Sequence, residues 1–224
     1  MENEFEVEFR FDGLLAKEGD LDGSDQEHSI SAARRILGLH AHCFLTGQVP
    51  RAAVSQSKLY HVRHRGSYQA CHVDMWAVVI IPTSLALGQI VGNAYSSEIK
   101  QGINTAARFL RDGLRAAVGS GSRELPRFRE FQPVLESYSG NHDPIVDIEM
   151  EQQRERTRLR EITSRVLFED AARAIGRSAD LLTIRVAGEI AITIDIDAKN
   201  RWLDKQITAA VNSIRNQNGL QFVT

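Results

Sequence analysis

Residues 58–100 carry the pattern that most limits how this chain can fold. Residues 68–75 alternate between the two faces of an extended segment, which is the period of a strand buried on one side. From Trp76 to the proline at position 82 the apolar residues are continuous, as in a strand covered on both faces. Arg65-Gly66-Ser67 is a short connection whose glycine tolerates a positive φ. Residues 59–64 and 68–81 are therefore predicted to form an antiparallel hairpin.

A helix is predicted to begin near Thr83, directly after this strand. Pro82 lacks the donor that a strand ladder needs, and Thr83 can cap a helix. Gly88 and Gly92 lie four residues apart, so they form a strip of helix surface that lets another backbone come close. Residues 75–95 are also about as long as a bilayer-spanning helix, which needs roughly 20 residues. Proline and polar side chains inside that window oppose a membrane span, which stays an alternative.

The charge balance excludes a protein that is attracted as a whole to nucleic acid or to anionic lipid. The 224 residues include 27 Lys and Arg against 29 Asp and Glu, for a net charge of -2 at pH 7. Any such contact therefore has to be a local patch. Two cysteines, Cys43 and Cys71, cannot build a disulfide framework, and no basic segment followed by an apolar run opens the sequence. We expect a cytoplasmic protein in a reducing compartment.

The N-terminal segment predicts a strand followed by a helix. Residues 5–11 alternate strictly, with apolar side chains on one face and charged ones on the other. Residues 17–27 are acidic but lack the glycine and glutamate positions of a calcium loop, which indicates a solvated loop. Ser24-Asp25-Gln26-Glu27 matches a capping box, and the apolar residues after it recur at helical spacing until Gly47.

One face of this predicted helix holds two residue types that can bind metal. His40 and Cys43 lie three residues apart, and Cys71 could supply a third ligand. No finger-type spacing accompanies them, and a core histidine beside a core cysteine is far commoner than a ligand pair. We therefore expect no metal and no other cofactor, and these three residues are weak candidates.

The most basic short run lies on the first strand of the predicted hairpin. Aromatic and basic side chains side by side on a sheet suit a single-stranded nucleic acid, which stacks its bases and presents its phosphates. Charged side chains also protect natural sheet edges from pairing with other strands. Nucleic-acid binding is therefore an alternative to a charged hairpin edge. The residues that would bind are Lys58, Tyr60, Arg63 and Arg65.

Composition divides the chain into two predicted lobes. Residues 1–118 form an N-terminal α+β lobe, residues 119–143 form a linker that begins Gly-Ser-Gly-Ser, and residues 144–224 form a C-terminal helix-hairpin-helix lobe. One continuous domain is the alternative. The predicted fold class is α+β, with an antiparallel sheet built from the N-terminal strand and hairpins and packed with several helices.

The C-terminal lobe supplies the predicted contact surface. A helix over residues 145–176 has one thin apolar seam, which points to a neighbouring helix or to another subunit. Residues 182–186 and 190–196 alternate, are joined by Ala187-Gly188-Glu189, and predict a hairpin with its aliphatic side chains inward. A last helix over residues 201–215 is predicted to turn its apolar residues inward. The seam consists of Ile148, Leu159, Ile162 and Val166, and the apolar residues of the last helix are Leu203, Ile207, Ala210, Val211 and Ile214.

Motifs for chemistry are absent from the sequence. There is no nucleophile elbow, phosphate loop, dinucleotide fingerprint or paired metal motif. His142 and Asp143 are neighbours in a predicted turn, so their side chains face different ways. A non-enzymatic protein is therefore favoured, and a metal-dependent enzyme around His40, Cys43 and Cys71 stays an alternative.

Four segments of the chain form a recognisable set. They are Phe9-Arg10-Phe11-Asp12-Gly13, residues 30–47 with Gly38, Gly66-Ser67-Tyr68, and Ile175-Gly176-Arg177-Ser178. Together they resemble a family of uncharacterised bacterial proteins that is associated with antiviral defence loci. The resemblance covers most of the chain and rests on capping, turn and core positions. It implies an accessory role in defence, and it supplies no catalytic residues.

The sequence therefore predicts a non-enzymatic protein that acts by assembly, as a homo-oligomer or with a protein partner. The predicted contact surfaces are the strip of Gly88 and Gly92 and the seam within residues 145–166. One alternative is a nucleic-acid-binding protein that uses the basic and aromatic hairpin. Another is a membrane-associated effector that inserts residues 75–95.

Overall fold

The computed structural model describes residues 4–13, 21–51, 61–69, 72–80, 95–119 and 144–217. Within these ranges the chain forms five strands, four α-helices and one short 3₁₀ helix, Ala171–Ala174. In chain order the main elements are β1 (Glu4–Asp12), α1 (Gly23–Thr46), β2 (His61–Gln69), β3 (His72–Ile80), α2 (Tyr95–Val118), α3 (Pro144–Glu169), β4 (Leu181–Val186), β5 (Glu189–Asp195) and α4 (Ile196–Gln217).

β1 lies at the centre of an antiparallel sheet. The strand order is β2-β3-β1-β4-β5, so β1 pairs with β3 on one side and with β4 on the other. Phe9, for example, lies opposite Met75 of β3 and Ile184 of β4. The prediction of an α+β fold with an antiparallel sheet built from the N-terminal strand and hairpins is confirmed.

The strict alternation of β1 separates the two faces of the sheet. Phe5, Val7, Phe9 and Phe11 are all buried. Against this side of the sheet, α1 packs over β2 and β3 while α2 packs over β1, β4 and β5. The other face carries the charged residues of β1, where Glu8 lies 3.9 Å from the guanidinium of Arg185 on β4. The predicted strand is confirmed, and burial of its aromatic residues fixes which face meets the helices.

The first hairpin is confirmed, but its turn lies elsewhere than predicted. β2 and β3 are antiparallel neighbours. Gly66 is inside the ladder, opposite Met75, and pairing continues to Gln69 opposite His72. The prediction that Arg65-Gly66-Ser67 forms the connection is therefore wrong. A glycine within a strand is tolerated, and the ladder hydrogen bonds outweigh its turn preference.

The second hairpin is confirmed, but its turn is one residue shorter than predicted, because Glu189 already pairs with Val186, and two of the residues predicted to face inward are exposed. Ala187 and Gly188 have φ values of 52° and 82°, as a two-residue turn with two positive φ angles requires. Ile192 and Ile194 are buried, whereas Ile190 and Ile196 are exposed. A register shift between Ile184 and Arg185 reverses the facing of Ile190, and Ile196 already belongs to α4. The inward prediction for these two residues is therefore wrong.

α1 begins two residues before the predicted capping box. Its N-cap is Asp22, whose carboxylate accepts a hydrogen bond from the backbone N–H of Ser24 at 3.3 Å. Asp25 is buried rather than solvated, which corrects the prediction of an acidic loop over residues 17–27 at this position. The helix ends as predicted at Gly47, whose φ of 73° is left-handed.

The seam of α3 packs inside the same chain. Leu159 and Val166 are buried, Ile162 is partly buried, and α3 packs on α1 and α2. Of the two predicted partners, a neighbouring helix and another subunit, the structure shows the helix. Leu159 and Val166 are therefore not available as an interface to another chain, which corrects that prediction. The helix ends at Glu169, before the predicted Gly176, and the 3₁₀ helix follows.

The two predicted lobes share one sheet. β4 and β5 come from the C-terminal segment, and β4 pairs with β1 of the N-terminal segment. Buried residues from both segments belong to one hydrophobic cluster. Most of the predicted linker, residues 120–143, lies outside the described residues.

The predicted membrane segment is not one helix. Residues 75–80 belong to strand β3, while residues 81–94, which include Gly88 and Gly92, lie outside the described residues. Across the part of the chain that is described, no helix combines the length and the apolar content needed to cross a bilayer. The alternative of a single inserted helix over residues 75–95 is therefore contradicted at its first six residues.

α1 and α2 approach each other closely at His40 and Gly113. A Cβ atom added at Gly113 would overlap with Nε2 and Cδ2 of the His40 ring. The same ring meets Phe109 edge to face, with ring centroids 6.0 Å apart. His40 is buried, so a shift of the ring would disturb its packing in the core.

We expect Gly113→Ala to lower the free energy of unfolding by about 1–2 kcal/mol, because overpacking costs more than the helix preference of alanine returns. Gly102→Ala on the same helix is the matched control, since a Cβ there meets nothing within 4 Å. It should raise the free energy of unfolding by about 0.5–1 kcal/mol. Urea unfolding of both variants measures this, and equal stabilisation by both would contradict the close approach.

Candidate protein-interaction surface

α4 is fixed at its base. Its first turn begins where the Asp195 carboxylate accepts a hydrogen bond from the Ala198 N–H at 2.7 Å. Trp202 stacks on Phe168 of α3, with ring centroids 5.2 Å apart and planes at 15°, and its indole N–H donates to Ser164 Oγ at 3.0 Å. The start of the helix is therefore held by a cap, a ring stack and a hydrogen bond.

Beyond this anchor, α4 leaves the body of the protein. Every residue from 203 to 216 is exposed. At 1.5 Å per residue this segment extends for roughly 20 Å. A helix with so little burial depends mainly on its own backbone hydrogen bonds, which stabilise short isolated helices only marginally in water.

An apolar stripe follows the exposed part of α4. Leu203 is 40% exposed, Ile207 60%, Val211 39% and Ile214 57%. These positions lie three or four residues apart, which places them on one side of a helix. Ala210 lies on the same side and is also exposed. We call Leu203, Ile207, Ala210, Val211 and Ile214 the α4 stripe.

The prediction that the α4 stripe faces inward is wrong. The spacing correctly identified an amphipathic helix, but periodicity does not say what covers the apolar side. The face of α4 that meets the body uses Ala198 and Trp202 instead. The sequence does not distinguish an inward-facing stripe from an exposed one. That depends on which helices cover the inner face of the sheet, and in the structure these are α1 and α2.

A groove borders the base of α4. It has a volume of about 660 Å³ and lies between the end of α2, the second half of α3 and the first turns of α4. Its apolar lining includes Ile162, Phe168 and Trp202. Four cationic side chains and two acidic ones also line it: Arg160, Arg165, Arg201, Lys205, Glu161 and Glu169. The groove extends the exposed surface of α4 onto the body of the protein.

The predicted nucleic-acid residues are only partly visible. Arg63 is exposed on β2, which is an edge strand of the described sheet. Arg65 occupies a backbone position opposite Trp76. Lys58 and Tyr60 lie outside the described residues. The structure thus shows one of the four side chains, at an edge where a charge also discourages strand pairing.

The weak metal candidates His40 and Cys43 belong to the core. Nδ1 of His40 donates to the Ile36 carbonyl at 2.8 Å, and burial lowers the pKa of His40 to about 4. Burial, followed by the charge of Glu155, raises the pKa of the Cys43 thiol to about 12, so it is not a thiolate. Cys71 lies outside the described residues. Within the described ranges, no three His, Cys, Asp or Glu side chains are grouped to hold a metal ion.

Asp25 forms a buried charge cluster that sequence reasoning missed. Ser178 donates to one carboxylate oxygen at 2.7 Å, and the guanidinium of Arg177 lies 3.1 Å from the other. Arg173 approaches at 4.0 Å and donates to Nε2 of His28 at 2.8 Å. Asp25 is 0% exposed and sealed by these partners, so its chemistry here is charge pairing between α1 and residues 173–178.

Ile175-Gly176-Arg177-Ser178, one of the four segments that resemble the bacterial family, holds the Asp25 cluster together. Gly176 has a φ of 83°, and its N–H donates to the Ala179 carbonyl at 2.8 Å. This turn brings Arg177 and Ser178 to Asp25. In the sequence, a glycine followed by two polar residues indicates a turn at this position. It does not indicate the partner of these residues, because Asp25 lies 153 residues before Ser178.

Comparisons with protein-family models, curated proteins and solved structures found no match for this chain.

His40 makes stability depend on pH. The unfolded chain binds a proton at His40 near the ordinary pKa of 6.5, whereas the folded chain does so only near 4. The free energy of unfolding is therefore highest above pH 6.5 and falls as the pH drops toward 4. Between pH 7 and pH 5 we expect this loss to be about 2 kcal/mol smaller in His40→Leu than in the wild type. Urea unfolding at both pH values measures the difference, and identical pH dependence would contradict it.

The Asp25 cluster predicts a large effect from a single truncation. Asp25→Ala leaves the Ser178 hydroxyl without its acceptor and removes the buried partner of the Arg177 ion pair, and we expect the free energy of unfolding to fall by about 2–3 kcal/mol. Glu27→Ala, an exposed acid two residues along the same helix, should change it by less than about 0.5 kcal/mol. Thermal and urea unfolding of both variants test this, and a neutral Asp25→Ala would rule out the stabilising role.

Proposed function

We propose that this protein is a non-enzymatic assembly protein that binds another protein chain along the α4 stripe. The observation that carries the proposal is the exposure of four large aliphatic side chains, at 39–60%, on one side of a helix that leaves the body. Single exposed apolar residues are ordinary, but a contiguous apolar row on an otherwise polar surface marks an interaction site.

The energy available along the stripe supports a protein partner. Full burial of a Leu, Ile or Val side chain is worth about 1.5–3 kcal/mol, and roughly half of that remains for side chains that are half exposed. Four of them contribute about 4 kcal/mol from one side. Association itself costs about 4–15 kcal/mol, so the partner has to bring an apolar surface of its own. An amphipathic helix or a groove of another protein meets this requirement.

The resemblance to a family associated with antiviral defence loci extends the proposal. The assembly would then serve as an accessory component of a bacterial antiviral defence system. Neighbouring genes that encode defence components would support this role, and their absence across several genomes would argue against it.

Nucleic-acid binding is the second candidate function. Its support is the exposed Arg63 on an edge strand, next to the positions of the other predicted residues. The cationic side chains that line the groove add a second local patch on a chain whose net charge is -2. Such binding would weaken steeply as salt increases, because phosphate contacts release counterions.

Site-specific photo-crosslinking in living cells separates the two functions. A photo-reactive residue replaces Ile207 on the α4 stripe, Asn212 on the opposite side of the same helix, or Arg63 on β2. We expect a protein adduct from position 207 and none from position 212, since only the first lies in the interface. Adducts at position 207 that are no more frequent than at position 212 would refute the assembly function. A nucleic-acid adduct at position 63 would favour the second candidate.

A further inference from the structure

We propose that the chain that covers the α4 stripe is a second copy of this protein, with the two α4 helices packed antiparallel about a two-fold axis. This rests on the proposed function and specifies its partner. Three features of α4 support this pairing: the spacing of the stripe, the residues on either side of it and the position of the helix on the body.

Four of the five residues of the α4 stripe have the same spacing in both directions. Leu203, Ile207, Ala210 and Ile214 are separated by four, three and four residues, and Val211 lies beside this row. In an antiparallel pair this places Leu203 opposite Ile214 of the second copy and Ile207 opposite its Ala210. The two-fold axis then passes between positions 208 and 209. A two-fold interface has to be complementary to itself, and the row of these four residues is.

The residues next to the two-fold axis allow the two α4 helices to pack closely. Ala210 lies in the layer next to the axis and faces the larger Ile207 of the second copy. Because a small side chain meets a large one in both central layers, neither layer is overfilled or empty. The outer layers pair two large side chains, Leu203 and Ile214.

Residues beside the stripe create no repulsion in this arrangement. Asp204 lies next to Val211 of the second copy, and Gln206 next to its Ser213. No like charges face each other across the pair, and like charges at such positions would decide against pairing. The basic residues Lys205 and Arg215 lie away from the stripe at helical spacing.

The position of α4 permits the pair. The base of the helix is held by Trp202 and Asp195, and residues 203–216 extend beyond it. In an antiparallel pair the two bodies lie at opposite ends, so the exposed segment of each helix meets the other. Four turns of contact bury less than the standard 1,200–2,000 Å² of a tight complex, so we expect a dissociation constant on the order of micromolar.

Light scattering over protein concentrations from about 1 to 200 µM tests the pairing. The mass of the wild type should rise from 25.0 kDa toward twice that value. Ile207→Glu places two unpaired carboxylates in the pair, and we expect it to raise the dissociation constant at least about 100-fold. Asn212→Glu adds the same charge on the opposite side of α4 and should pair as the wild type does. Each substitution is on an exposed position, and an unchanged unfolding midpoint confirms that the variant folds.

A mixture of two variants tests the antiparallel register. Ala210→Lys alone should also weaken pairing. In a mixture of Ile207→Glu with Ala210→Lys, each glutamate faces a lysine and each remaining isoleucine faces an alanine. The mixture should therefore recover the dimer mass that neither variant reaches alone. A parallel pair predicts no recovery, because position 207 would then face position 207.

The outcomes are separate from those of the proposed function. A wild type that stays at 25.0 kDa up to 200 µM refutes self-pairing, whatever the crosslinks show. Crosslinks from position 207 to a different protein would then leave the assembly function standing. Sedimentation of the monomer with anionic vesicles, abolished by Ile207→Glu, would also refute self-pairing and assign the stripe to a lipid surface. A dimer whose variants do not complement refutes the antiparallel register.

Discussion

The pairing of β1 on both of its edges is the constraint on which the rest of this structure depends. β1 hydrogen-bonds to β3, which follows it by more than 60 residues, and to β4, which follows it by about 170. Its aromatic side chains lie at the centre of the inner face of the sheet, and α2 packs over β1 together with β4 and β5. Contacts this distant in sequence carry a large entropic cost of loop closure, which the burial of the aromatic face offsets.

The same arrangement explains the exposure of the α4 stripe within the part of the chain that the structure describes. The inner face of the sheet is occupied by α1 and α2, and α3 packs on these two helices. α4 follows β5, an edge strand, and the residues of α4 that pack against the described core, Ala198 and Trp202, lie in its first turns. A stripe of aliphatic side chains at such a position costs stability and solubility for an isolated chain. Its presence is therefore most simply explained by a surface that covers it.

Sequence reasoning succeeded where the signal is local. The alternation of β1 and the second hairpin depend on a few adjacent residues; the strand was predicted correctly, and the turn of the hairpin was predicted one residue too long. It failed where a residue's partner is distant. Gly66 and its neighbours have the residue types of a turn, but hydrogen bonding to β3 keeps Gly66 within strand β2. Asp25 lies in an acidic run that resembles a solvated loop, and its burial depends on Arg177 and Ser178. The α4 stripe was found by its spacing, yet its direction depends on which surfaces other helices already cover.

The Asp25 cluster also has a consequence for folding during synthesis. The first turn of α1 cannot lose its water until a counter-charge arrives, because an unpaired carboxylate in an apolar interior is too costly. That counter-charge is on Arg177, and β4, which completes the pairing of β1, ends at Val186. A ribosome has therefore translated more than four-fifths of these 224 residues before the amino-terminal strand and helix can reach their final packing. Until then the nascent chain exposes the aromatic face of its central strand and the unpaired backbone groups of one edge. Exposed surfaces of this kind are prone to aggregation and are bound by chaperones.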